Sequence, residues 1–335
     1  MSQTLHAPTL TRTDHNGEPQ SSGPWVRALR RFIRQPSGVA ALFVLLVVLV
    51  AGAFATRIAP YDITTIELTN MFAPPSWKHL FGTDLVGRDT LSRTLYGIRM
   101  DEWLALQVTI GTTAIGVIVG AAAGYYGGWL DNVVMRITEF VGVFPPLALL
   151  FAAITILGAP NPHRLREVLV FYMWTPVARV VRASILALRE REFIEAARAS
   201  GASDLRIIVR HLLPNAISSA LVAISIVFGQ VILLEATVGY FNYGINEGVV
   251  PTLGNLIAGG VNQGVSLDRY WWLWVFPGLV LVLLLVCVNT VADSLDDALN
   301  PSASRGRRFS SSGFLDRARR WQGLPRARTR ASQQP

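Results

Sequence analysis

Lysine and cysteine are almost missing: Lys78 and Cys287 are the only examples in 335 residues. A single cysteine excludes an intrachain disulfide and a cysteine metal cluster, and Cys287, inside an apolar run, reads as a lipid-facing or packed residue. The five histidines, His6, His15, His79, His163 and His211, show no H-x-x-x-H or H-E-x-x-H spacing. No metal site is therefore expected. No G-x-x-x-x-G-K-[ST] loop occurs, which excludes a P-loop ATPase, and no G-x-S-x-G elbow or paired carboxylates in a pocket context speak for an enzyme. Charge is scarce as well, at 16% of residues against 51% hydrophobic, with a mean hydropathy of +0.39. That composition belongs to a membrane protein rather than a soluble domain.

What the chain does have is long apolar runs, near the roughly 20 residues that cross a hydrocarbon core of about 30 Å. Six spans are expected, at Val39–Ala55, Leu104–Tyr125, Val133–Leu157, Val168–Leu188, Ala216–Val238 and Trp271–Val291. The first is too long for a signal-peptide core and lacks a clear A-x-A site, so it reads as a retained helix. Residues 1–36 are expected to form a cytoplasmic N-terminal tail, polar and disordered over 1–24, 37–301 the six-span core and 302–335 a C-terminal tail with nine arginines against the single acid Asp316. That tail is expected either to touch anionic lipid or to be plainly solvated. The basic segments, Arg27 to Arg34, the 188–215 loop and the C-terminal tail, place both termini in the cytoplasm by the positive-inside rule. The net charge of +8 is explained by those segments, not by nucleic-acid binding.

A long external loop, 58–103, and the cytoplasmic loop 188–215 complete the outline. Tyr125, Tyr126 and Trp129, and Trp271, Trp272 and Trp274, read as aromatic anchors at the two interfaces. Gly116, Gly120 and Gly124 put three residues without side chains on one helix face, a packing surface for a neighbouring helix. Pro176 should kink the fourth span. Arg179 and Arg182, which follow it, read as snorkelling toward the inner leaflet, with a pathway-lining role as the alternative.

The loop LREREFIEAARASGASDLRIIVRHLLPN, Leu188 to Asn215, is the most organised polar stretch. Phe193, Ala197 and Ser200 fall at i, i+4 and i+7, a narrow face that seats in a groove of another protein, and Arg191 can pair with Glu195. Gly201 suits a left-handed helix end, Ser203 can cap a second helix running to Leu213, and Pro214 opens the next span. On these residues alone the elbow fits an inner membrane surface as well as a partner groove.

Here a resemblance enters. Glu195-Ala196-Ala197, then Gly201 after three intervening residues, and His211-Leu212-Leu213-Pro214 resemble the EAA loop of binding-protein-dependent ABC importer permeases; histidine in place of the usual isoleucine is typical of the peptide and nickel branch. FGTDLVGRDTLSRTLYGIR, Phe81 to Arg99, resembles the FGTD-x-x-GRD segment of the oligopeptide and dipeptide permeases, with Phe81, Gly82, Thr83, Asp84, Gly87, Arg88 and Asp89 matching. Gly124 to Asp131 with Met135-Arg136, Phe276 to Gly278, and Asp297 to Pro301 extend the likeness over residues 36–301. The chain departs from the pattern at Met100-Asp101-Glu102-Trp103, and at Tyr240 to Gly244 with Leu253 before Gly254-Asn255.

The resemblance implies an all-α, type I ABC importer permease fold in a bacterial plasma (inner) membrane. It implies a heterodimer with a second six-span permease, two ATPase subunits that bind ATP and Mg, no cofactor in this chain, and an external solute-binding protein delivering peptides or peptide-like solutes. Phe193, Glu195, Ala196, Ala197, Arg198, Ser200, Gly201 and Asp204 would form the ATPase-docking helix and its elbow. The rival is an ion-gradient-driven secondary transporter, which usually needs ionisable residues at mid-membrane; Glu139, Glu235 and Asp293 lie near span ends, Glu235 the deepest.

Overall fold

The computed structural model describes residues 24–158, 161–245, 250–262 and 268–299. Most of residues 1–36 and all of the 302–335 tail lie outside them, as do the readings made there. The described residues are helical, with no strand among them. A short helix, α1 (Pro24–Ile33), precedes α2 (Pro36–Ala53) and the single turn α3 (Ala55–Ile58). α2 starts at a proline, where the missing N–H costs nothing, and runs as an unbroken apolar span to Phe54.

α4 (Thr90–Tyr126) is 37 residues long, about 55 Å at 1.5 Å per residue and well beyond a bilayer core. It begins where Asp89 accepts from the Ser92 N–H at 2.8 Å, an N-cap bond. Residues 90–103, expected in a loop, are therefore helix. Hydropathy missed them because they carry Arg93, Arg99, Asp101 and Glu102, yet Arg93 and Asp101 are 2% and 1% exposed and face protein, not water.

The third expected span is broken. α5 (Gly128–Val143) and α6 (Pro146–Leu157) meet at 87°. Pro145 and Pro146 push the residue before each of them out of the helical region, and Phe144 and Pro145 are extended, with ψ of 131° and 129°. α7 (Pro162–Leu188) starts on an Asn161 cap to Arg164 N at 2.8 Å and continues through Pro176. After α8 (Glu192–Ala199), α9 (Asp204–Ile207) runs through one π turn at Ile208–Leu212 into α10 (Leu213–Tyr240). α11 (Leu253–Asn262) and α12 (Trp272–Leu299) complete the described chain.

Five helices are long and apolar enough to span a membrane, six if the bent pair is one span. α4 is the axis of the bundle. Of its most apolar window 44% is buried, against 11% for α2, so α2 turns most of its surface outward. The core is the seam between α4 and α7, where Leu104, Ala105, Val108, Leu169, Val177 and Ile185 are all at most 1% exposed. Cys287 is packed on α12 at 4% exposure.

Candidate functional site

The 188–215 elbow is built on one anchor. Ile194 of α8 is fully buried, whereas every other residue of that helix except half-buried Ala197 is exposed, Phe193 at 42%. The helix ends in a paired-bond cap: Gly201 N donates to Arg198 O at 3.0 Å and Ala202 N to Ala197 O at 3.1 Å, with Gly201 at φ +78°. α9 follows, anchored by Ile207 at 0% exposure, and leaves Leu205 and Val209 71% and 54% exposed. Phe193, Leu205 and Val209 are thus apolar side chains left uncovered on an otherwise polar elbow, a pattern found where a protein or a membrane is contacted.

Three expectations fail here. Arg191 uses its backbone carbonyl to start α8, accepting from Ile194 N at 2.9 Å, and its side chain makes no ion pair with Glu195 among the described residues. Ser203 holds the N-cap position with extended backbone, but its hydroxyl makes no cap bond. The second helix does not stop at Leu213. Pro214 has no N–H for the Arg210 carbonyl; the coil widens to a π turn and Asn215 Nδ2 donates to His211 O at 2.6 Å, so the helix runs on into α10.

The elbow is tied to the end of α4 by Tyr125. Its hydroxyl donates to Asp204 Oδ1 at 2.6 Å, and the Arg198 guanidinium lies 5.9 Å from its ring centroid, so one side chain touches both limbs. Arg189 Nη1 also donates to Gly124 O at 3.3 Å. Tyr125 thus ties α4 to the elbow, a contact its reading as an interfacial anchor did not foresee, and Tyr126 and Trp129 are 58% and 77% exposed. Tyr125→Phe should speed amide exchange across Asp204–Ile207 by roughly fivefold, the loss of one hydrogen bond, and leave α7 unchanged. Equal protection in both variants would remove Tyr125 from this role.

Along α4, Gly116, Gly120 and Gly124 lie against α7. A Cβ added to each would fall 2.7 Å from Val177 Cβ, 2.5 Å from Ala178 O and 2.9 Å from Arg182 O. The arginines of α7 do not snorkel alone. Arg182 forms a two-pronged pair with Asp131, and Arg179 Nη2 donates to Thr138 O at 2.5 Å; both pin α5 to α7.

The FGTD-x-x-GRD residues fold the loop before α4 onto itself. Asp84 Oδ1 accepts from Val86 N and Arg88 N at 3.0 and 2.9 Å, and Oδ2 from Arg88 Nε at 2.6 Å. Thr83, fully buried, bonds Asn70 O and accepts from Ala73 N at 2.8 Å. Asp89 joins His79 Nδ1 at 2.9 Å besides capping α4. Phe81 stacks on Phe276 of α12 at 4.2 Å, and Trp272 Nε1 donates to Thr83 O at 3.3 Å. Trp272 is 5% exposed, a buried clamp rather than a lipid anchor. Gly82 and Gly87 sit at φ +69° and +79°, and a Cβ on Gly87 would lie 2.0 Å from Glu67 O. Gly87→Ala should open this loop to trypsin at Lys78 and Arg88; cleavage no faster than wild type would overturn that reading.

The two segments where the sequence departs from the family pattern meet in space. Asp101 Oδ2 accepts from Leu253 N, the first amide of α11, at 3.1 Å across 152 residues. Glu235 of α10, 1% exposed, lies against Asp101 and Thr252. Glycines allow the close approach: a Cβ on Gly254 would sit 2.3 Å from Ala236 O, and one on Gly97 3.2 Å from Leu253 N. No spacing rule joins residues so far apart, so this junction was not legible. Beside it, Tyr96, Arg99, Met100, Glu102 and Trp103 line an open groove of about 720 Å³.

The model of the family described as "Binding-protein-dependent transport system inner membrane component" matches residues 116–305, and that of the "N-terminal TM domain of oligopeptide transport permease C" matches residues 23–75. A Brucella suis protein provisionally named a peptide transport system permease is 37% identical, covering 83% of this chain and 92% of its own. A second B. suis protein, provisionally named a peptide permease, is 34% identical over 90% of this chain and 99% of its own. The oligopeptide transport system permease protein OppC of Mycobacterium bovis is 36% identical over 84% and 95%. The inward-facing MetNI methionine ABC transporter aligns with 61% of this chain and 97% of its own at a TM-score of 0.43 and 18% identity, too loose a likeness to bear on detail. With those matches over the bent-pair bundle and its exposed elbow, the chain belongs to the family of inner membrane components of binding-protein-dependent transport systems.

Proposed function

We propose that this permease pairs with a second, homologous six-span permease to form the pathway for peptides or peptide-like solutes, with both termini in the cytoplasm of a bacterial cell. Two ATPase subunits dock on α8 and its elbow through Phe193, Glu195, Ala196, Ala197, Arg198, Ser200, Gly201 and Asp204. ATP and Mg are held by those subunits and not by this chain, and a solute-binding protein delivers the cargo from outside. The observation that carries the docking is α8 itself. A helix of eight residues with one fully buried side chain, Ile194, leaves most of its surface exposed, and an isolated helix that short is marginal in water without a partner. Names of relatives that speak of peptide transport support the cargo class.

The test is to solubilise the tagged chain from its native membrane in mild detergent and identify what co-purifies by mass spectrometry. An ABC-type ATPase and a second six-span permease are expected, with the ATPase lost when Glu195 and Gly201 are both replaced. Recovery of the chain alone as a homo-oligomer would overturn the assembly.

A further inference from the structure

Helix α1, ten residues with no acidic side chain, has three distinct faces. The first packs inward. Ala28 is 8% exposed, and half-buried Phe32 reaches the start of α2, where a Cβ on Gly38 would meet its ring at 3.5 Å and Ser294 of α12 at 2.5 Å. The second carries Val26, Leu29 and Ile33 at i, i+3 and i+7, which are 51%, 60% and 61% exposed. The third is basic. At 3.6 residues per turn Arg30 and Arg31 lie about 100° apart, next to each other on one side of the helix.

Position decides what covers the apolar face. Only Arg34 and Gln35 separate α1 from the apolar span α2, so the exposed Val26, Leu29 and Ile33 belong to a helix that directly adjoins a membrane-crossing segment, with Arg30 and Arg31 beside them. A helix with an apolar face, a cationic face and no acid lies in the plane of such an interface, and charge complementarity selects anionic lipid. We propose that α1 is an anionic-phospholipid-binding helix, seated in the membrane interface by Val26, Leu29 and Ile33, with phosphate headgroups gathered by Arg30 and Arg31. The leaflet is the inner one if the topology proposed above holds.

The chain's single cysteine makes a direct test accessible. In a Cys287→Ala background, Leu29→Cys and, separately, Arg30→Cys are labelled with an environment-sensitive fluorophore in the full chain, together with whatever subunits co-purify, in vesicles of phosphatidylcholine with or without phosphatidylglycerol. A quencher carried on lipid should reach the label at position 29 and not that at 30, and more so with phosphatidylglycerol. A soluble quencher applied to one side of the vesicle reports the leaflet separately, so a wrong topology is told apart from a wrong lipid site. Independently, native mass spectrometry of the unlabelled protein should show retained phosphatidylglycerol, lowered roughly fivefold for each of Arg30→Glu and Arg31→Glu. A label at position 29 shielded from the lipid quencher, or lipid retention indifferent to both charge reversals, would overturn the proposal.

Discussion

Gly120→Val is expected to leave little or no folded protein to recover from the membrane. The Cβ of any residue there would lie 2.5 Å from the Ala178 carbonyl oxygen and 3.0 Å from its Cα. Both are backbone atoms of α7, which cannot rotate away as a side chain could. α4 and α7 would have to part, and parting forfeits the seam of Val108, Leu169, Val177 and Ile185, each at most 1% exposed. Within a bilayer, helices associate through close packing rather than exclusion of water, so lost contact is not repaid by solvent. Forced overpacking costs about 1–3 kcal/mol in soluble cores; a valine against main chain, flanked by Gly116 and Gly124 in the same predicament, belongs at or above the top of that range. Gly278→Ala is the control, since a Cβ there meets nothing within 4 Å. Monodisperse yield and thermal unfolding should collapse for the first variant and match wild type for the second. Wild-type melting of Gly120→Val would refute the account of this seam.

The second large effect concerns function. In the assembled transporter, Gly201→Val should lower solute uptake by about tenfold, the equivalent of ~1.4 kcal/mol, while ATP hydrolysis continues. The argument isolates the backbone. Nothing lies within 4 Å of a Cβ at position 201, so no clash arises, and the cost is the left-handed φ of +78°, about 1–2 kcal/mol for a residue with a Cβ and more for a β-branched one. The chain relieves that strain by abandoning the paired bonds from Gly201 and Ala202, and α8 then leaves α9 at a different angle. Asparagine tolerates the left-handed region, so Gly201→Asn should retain most uptake. If valine and asparagine behave alike, the angle of the elbow is not what conveys ATPase motion.

The sequence foretold these elements unevenly, and for physical reasons. Runs such as Pro36–Ala53 are legible because hydropathy integrates over many residues, and Gly201 because only a few residues accept its conformation. The break at Pro145-Pro146 was written in the sequence, but an apolar stretch on both sides outweighed it. The first turns of α4 were lost since a window average treats Arg93 and Asp101 as surface when each is buried against another helix. Tyr125 to Asp204 and Asp101 to Leu253 are contacts across 79 and 152 residues, which no local pattern encodes. α1 was visible only as a cluster of arginines, because its apolar third acquires meaning once Ala28 and Phe32 are known to face inward.

The π turn at Ile208–Leu212 keeps the helix continuous. Because α9 passes through it into α10, residues Asp204 to Tyr240 form one rod of 37 residues, about 55 Å long. That helix joins the elbow at Leu205 to Glu235, Ala236 and Gly239, where it packs on the start of α11. Tilting such a shaft by about 5° carries its far end about 5 Å, more than the clearance that Gly254 leaves at Ala236. If the near end were displaced as a rigid unit, the contacts of Ala236 with Gly254 and of Gly239 with Asn255 at the far end would have to move with it or break.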